Sequence, residues 1–261
     1  MFLTAEPLWL SGIVVIGLIT LAGMLGPVLI RRNVGLERLR TNNEVAGFKF
    51  AAIGVLYAVL LAFAVILVWE RFNAGENVVV SEAGAAATIY RLAGGVGGEE
   101  EAALRDEITA YLQAAITQDW PAMERGRASP AVTQAVNRIY ATVLAFHPAD
   151  RRASVVFAEI LHQLDMLTQA RRARLVIASA GIPAILWLAL FVGAAVTIGF
   201  TFFFGTGNLR TQALMTGMLA LLIASQLWVI VAIDRPFTGT VRVQPHALAA
   251  VLEDATHTGT P

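Results

Sequence analysis

Two carboxylates sit where a chemical role is conceivable, because each lies at or just beyond the end of a long apolar stretch: Glu70 and Glu82. In a symmetric ring of subunits Glu70 would form a circle of carboxylates at a mouth, attracting cations and opposing anions. It is equally placed to pair with Arg71 or with an arginine of the Arg171, Arg172, Arg174 group. Glu82, about three turns further on, could line the same axis or pair with an arginine inside a folded bundle. Those three arginines could bind lipid phosphate or funnel anions, or could simply anchor a water–lipid boundary together with Trp69 and Trp187. Glu44 and Lys49 are long enough to snorkel to headgroups. Asp234-Arg235-Pro236-Phe237 reads as a turn anchored by Asp234, either structural or part of a gate.

Other chemistry is poorly supplied. His147, His162, His246 and His257 are scattered, and Glu159-x-x-His162-x-x-Asp165 lacks an i,i+4 histidine pair, so no metal site is expected. Gly94–Gly98 is followed by no lysine and hydroxyl residue of a phosphate loop. There is no G-x-S-x-G nucleophile and no cysteine, which excludes disulfides, thiol catalysis and iron–sulfur ligation. The expectation is a protein that is not an enzyme and needs no cofactor. A formal net charge of zero gives no reason to expect a nucleic-acid partner.

The elements that must position these residues are mostly apolar. Of 261 residues 57% are hydrophobic and 15% charged, against about 25% charged in soluble domains. The composition indicates a multi-pass membrane protein, expected in a cell (inner) membrane. The first segment, about 8–30, carries Trp9 at one end and Arg31-Arg32 at the other, and lacks the basic start and cleavage site of a signal peptide. A polar loop, 31–44, follows. The second segment begins near Phe48, is apolar to Val68, and continues in helix-compatible sequence to Arg91. Some 45 helical residues would span roughly 68 Å, more than twice a bilayer's apolar core. Gly47, Ala51, Gly54, Ala58 and Ala62 line one side of it. That stripe would suit tight packing on a neighbouring helix or a narrow pore line in a ring of subunits. Tyr57 is the one polar-capable side chain in mid-segment, so such a pore would be mostly hydrophobic.

Residues 99–172 predict three amphipathic helices. The first buries Leu104, Ile108 and Leu112 and ends at Trp120-Pro121. The second opens at Ser129-Pro130, and the third runs from Asp150. With the end of the second segment they would make a four-helix bundle outside the membrane. The third segment, about 175–204, carries Gly181 and Pro183 and should kink or tilt strongly, and the fourth spans about 212–233. A short helix near 245–254 and a disordered end from Ala255 complete the chain. The expected divisions are 1–72, 73–172, 173–234 and 235–261. Near-membrane arginines are balanced between the two sides, so the charge rule leaves orientation open.

Several stretches are familiar together: Asn43-Glu44-Val45-Ala46-Gly47, Trp69-Glu70-Arg71-Phe72, Glu82-Ala83, Asp119-Trp120-Pro121, Arg171 to Leu175, Pro183 to Trp187 and Asp234-Arg235-Pro236-Phe237-Thr238-Gly239. In this order they resemble the bestrophin-like family of bacterial and plastid membrane proteins, catalogued as a domain of unknown function. Bestrophins are pentameric, mainly anion-conducting channels with four membrane helices per subunit. The resemblance implies an all-α membrane protein with four transmembrane helices and an extramembrane helical bundle inserted between the second and third. It also implies a cytoplasmic bundle and termini, opposite to what the first loop's arginines favour. Two family features are missing. No acidic cluster follows Pro236-Phe237 to complete a calcium clasp, and Phe63 alone stands where animal bestrophins carry a phenylalanine-rich constriction.

Two functions fit these expectations. One is an oligomeric channel for small anions, or weakly selective, lined by the second segment of a homo-oligomer in the lipid bilayer. The other is a non-conducting membrane scaffold or sensor whose bundle docks a partner. A carrier or pump is disfavoured by the lack of ionisable residues in mid-membrane.

Overall fold

The computed structural model describes residues 8–41, 43–239 and 241–258. The Trp9 side chain, Thr240 and residues 259–261 lie outside that description. Among the described residues every regular element is helical: α1 (Leu8–Asn33), α2 (Leu36–Thr41), α3 (Asn43–Ala93), α4 (Gly98–Ala114), a π-helical turn (Ala115–Asp119), α5 (Trp120–Met123), α6 (Pro130–Ala145), α7 (Arg151–Ser179), α8 (Ala184–Thr201), α9 (Leu209–Ile233) and α10 (His246–Thr258). Four of these, α1, α3, α8 and α9, are long and apolar enough to cross a membrane. The chain forms two units. One comprises the chain up to Glu70 with Ile182–Asp234, the other Arg71–Gly181 with the chain from Arg235 onward.

In the first unit α1 lies along α9 because small residues let the backbones approach. A Cβ placed on Gly23 would stand 2.7 Å from that of Ala220. The α3–α8 contact uses the same device differently. Gly193 leaves room for the Tyr57 ring, whose hydroxyl donates to the Leu190 carbonyl at 3.1 Å. The single polar side chain of the mid-span is thereby buried against α8. The segment 31–44, expected as a polar loop, is mostly helical. α1 continues through Asn33, and α2 seats Leu39 against the backbone of Gly205, where any side chain would collide with Leu39 and Arg40. Asn43 brackets the same glycine, donating to its carbonyl at 2.8 Å and accepting its N–H at 3.0 Å. Arg31 donates to the Thr206 carbonyl.

The second unit is the expected bundle. Val79, Ala86 and Ile89 of α3 meet Leu104, Ile108 and Leu112 of α4, Val132, Val136 and Ile139 of α6, and Ile160, Leu164 and Leu167 of α7 in one core. Asp150 caps α7 by accepting from Ala153 N. Three sequence expectations need correction here. The helix after Gly98 does not end at Trp120-Pro121. Proline has no N–H and crowds the carbonyl four residues back, and the wide π turn ahead of it absorbs both defects, so helical structure continues to Met123. The third membrane segment is not one kinked helix from residue 175. α7 runs on to Ser179, and 180–183 is non-helical because Pro183 disfavours helical backbone at Ile182, so the span proper is the 18 residues of α8. A boundary at 172/173 therefore falls inside α7. Finally, the tail is no separate region. Phe237, Val243 and Leu248 belong to the bundle core, and α10 reaches Thr258 where disorder was expected from Ala255.

Candidate functional site

The 51 residues of α3 would extend about 76 Å at 1.5 Å per residue. Its buried face carries Tyr57, Ala64, Val68, Val79 and Ala86. The stripe Gly47, Ala51, Gly54, Ala58, Ala62 lies elsewhere on the cylinder. At about 100° per residue these five positions fall within roughly 80° of arc. Ala51, Ala58 and Ala62 are exposed, Gly47 and Gly54 half-buried. A Cβ added at either glycine would meet nothing within 4 Å. The stripe is therefore not packed on another helix of the same chain. Five glycines elsewhere in the spans, Gly12, Gly23, Gly26, Gly193 and Gly217, all face side chains within 3 Å of where a Cβ would stand. Glu70, eight residues beyond Ala62, is rotated about 80° from it. It is exposed, and its carboxylate has no ion pair among the described residues. Arg71 holds a buried Nη1 without an acceptor. Trp69 is 55% exposed, and Trp187 is half-buried and stacked on Phe191 at 5.5 Å.

The second feature is a buried charge cluster in the bundle. Glu82 of α3 accepts from Arg174 Nε at 2.7 Å and Nη2 at 2.9 Å, and from the Tyr111 hydroxyl at 2.5 Å. Asp119, turned inward by the π segment, accepts from Arg174 Nη2 at 3.2 Å, Arg171 Nε at 2.9 Å and Ser129 N at 2.8 Å. The Arg174 guanidinium also lies 4.6 Å from the Trp120 ring centroid. Glu82, Asp119 and Arg174 are wholly buried. Such a cluster is tolerable only because two cations meet two anions and nearly every lone pair has a donor. Burial pushes the Tyr111 hydroxyl well above its ordinary pKa, and the Glu82 carboxylate pushes it further, so Tyr111 stays a neutral donor. Burial alone would weaken the charge on Arg174. Glu82, by its charge and hydrogen bonds, reverses this and holds the guanidinium more firmly protonated than usual.

This corrects the expected place of two arginines. Arg171 and Arg174 do not reach out as exposed anchors but lie inside the bundle, 7% and 0% exposed; Arg172, between them, is exposed. Glu82 pairs with an arginine of the bundle and does not continue the Glu70 line. Asp119 and Tyr111 were not singled out for a charge role by sequence. An acid beside a proline inside an amphipathic helix was the available signal. Of the turn residues, Asp234 accepts the Ile182 N–H, whereas Pro236 and Phe237 are buried in the second unit, Phe237 edge-on to Trp120. Among the described residues no cluster of acids and histidines could hold a metal ion.

Comparison with known proteins agrees with this architecture. Residues 17–248 match the bestrophin-like domain. None of the curated proteins matches the sequence. Among solved structures, a bacterial bestrophin homologue from Klebsiella pneumoniae, phased on zinc, is 15% identical with a TM-score of 0.65, covering 92% of this chain and 98% of its own. A single-substitution variant from the same organism is 16% identical with a TM-score of 0.68 over 92% and 98%. A further crystal structure, described as a membrane protein, is 14% identical with a TM-score of 0.69 over 94% and 99%.

Proposed function

This chain belongs to the bestrophin-like family, and from that membership we propose that copies of it close into a ring in a cell inner membrane and conduct small ions. The reading is an oligomeric, bestrophin-like channel lined by α3, passing small anions or weakly selective. The observation that carries it is the unpartnered stripe of α3. Gly47 and Gly54 have open space beside them, and Ala51, Ala58 and Ala62 are exposed, whereas Gly12, Gly23, Gly26, Gly193 and Gly217 of the other spans are closely packed and Gly17 and Gly199 are not. A face of methyl groups and bare backbone would line a narrow, apolar passage that can gate by dewetting. With the middle of the stripe towards the axis, Glu70 is carried about 120° aside, which weakens the repulsion a carboxylate ring would impose on anions. Tyr57 is turned to α8 and leaves the passage apolar.

The test is chloride and potassium flux from proteoliposomes containing the purified protein, with subunit number determined on the same sample. Flux from a closed ring of four or more copies supports the channel. Sealed liposomes around a folded monomer or dimer would leave a non-conducting scaffold or sensor, with the bundle as its docking module.

A further inference from the structure

Away from both features described above, the second unit holds a cavity of about 440 Å³, lined by Tyr90, Arg91, Arg105, Val251, Asp254 and His257. Its walls come from the end of α3, from α4 and from α10. Two guanidinium groups border it, and neither is used up. Arg105 gives Nη1 to Glu101 at 2.9 Å and lies over the Tyr90 ring, 5.1 Å from the centroid, with its guanidinium at the cavity wall. Arg91 is exposed, and its side chain has no hydrogen bond or ion pair among the described residues. With Glu101 already taken by Arg105, the wall sets two guanidinium charges against the single carboxylate of Asp254. His257, 3.9 Å from Glu253, adds positive charge when protonated. Val251 and the Tyr90 ring supply the apolar side.

Charge-assisted hydrogen bonds to an anion are among the strongest available, and Arg91 has its donors free to make them. We propose that this cavity binds a small oxyanion, a carboxylate or phosphoryl group on a compact body, held by Arg91 and Arg105. The Tyr90 hydroxyl donates to the Ala255 carbonyl at 2.9 Å, so an occupant would add to the contacts that fasten α10 to the end of α3. The site is independent of conduction and would stand if the protein proved non-conducting.

The experiment is calorimetric titration of the purified full-length protein with sodium sulfate, a mimic of a phosphoryl group, and with sodium acetate, a carboxylate. Both are run at constant ionic strength in chloride. At least one probe should bind saturably, and whichever does identifies the source of the anion. Arg91→Gln, which breaks no side-chain hydrogen bond or ion pair among the described residues, should weaken that binding at least tenfold. Ala87→Leu, which fills the cavity without changing charge, should do the same, and Arg172→Gln should leave it unchanged. Saturable binding by neither probe, or binding that persists in both Arg91→Gln and Ala87→Leu, overturns the proposal.

Discussion

Asp234 Oδ1 accepts the backbone N–H of Ile182 at 2.7 Å, joining the residue that follows α9 to the residue just before Pro183. The bond supplies an acceptor to a donor that the broken helix leaves without one, at a residue only 7% exposed. It gives Asp234 a structural task independent of any calcium. Asp234→Ala should lower stability by about 1–3 kcal/mol, the usual cost of orphaning a buried donor. Asp234→Asn, which keeps an acceptor oxygen, should lose less than half of that. Thermal unfolding in one detergent checks both, and equal losses would show that the carboxylate charge matters more than the hydrogen bond.

Removing Arg174 leaves the buried Glu82 carboxylate without a cation and takes from Asp119 one of its two. Arg174→Met should destabilise the bundle by about 3–5 kcal/mol, the range for breaking a buried pair from one side. Glu82→Gln should cost less, because the amide oxygen can still accept from Arg174 or Tyr111. The combined variant should be milder than the sum of the two, since residues of one network are not additive. Chemical denaturation of the four proteins closes the cycle.

Tyr111 gives the cluster a pH signature. Its folded pKa lies well above the unfolded value of 10.0. Above about pH 10 the unfolded chain therefore loses a proton that the folded chain keeps, and stability falls as pH rises from there towards the folded pKa. Below pH 10 the tyrosine contributes no slope. Tyr111 should resist ionisation in an ultraviolet titration until the protein unfolds. Tyr111→Phe should flatten the alkaline loss of stability.

The two faces of α3 should respond oppositely to bulk. Ala58 is exposed in the subunit, so Ala58→Trp should leave the fold and the ring intact and reduce flux severalfold or more. At Gly193 even a Cβ would stand 2.5 Å from the Tyr57 ring, so Gly193→Leu should destabilise the membrane unit by about 1–3 kcal/mol, as overpacking does. Size-exclusion profiles and flux on the two variants separate a pore face from a packing face. Loss of the fold in Ala58→Trp would place that residue in a tight contact between subunits.

The sequence by itself determined the four spans, the length of the second helix and the inward faces of the bundle helices. These follow from local hydrophobic periodicity, and burial of apolar surface enforces them wherever the chain goes. It also contained more than was read from it. Leu164, Leu167, Arg171, Arg174 and Ala178 continue one 3–4 spacing, so both arginines share the buried face of α7. Only the tertiary structure decided what makes that burial tolerable. Arg174 and Glu82 are 92 residues apart, and Arg171 and Asp119 are 52 apart. Whether a charge is solvated or buried depends on a counter-charge brought by another helix, and no local pattern encodes that partner. The same holds for the small-residue stripe. Its spacing shows that a close approach is possible, and packing alone decided that the chain's own helices leave it open.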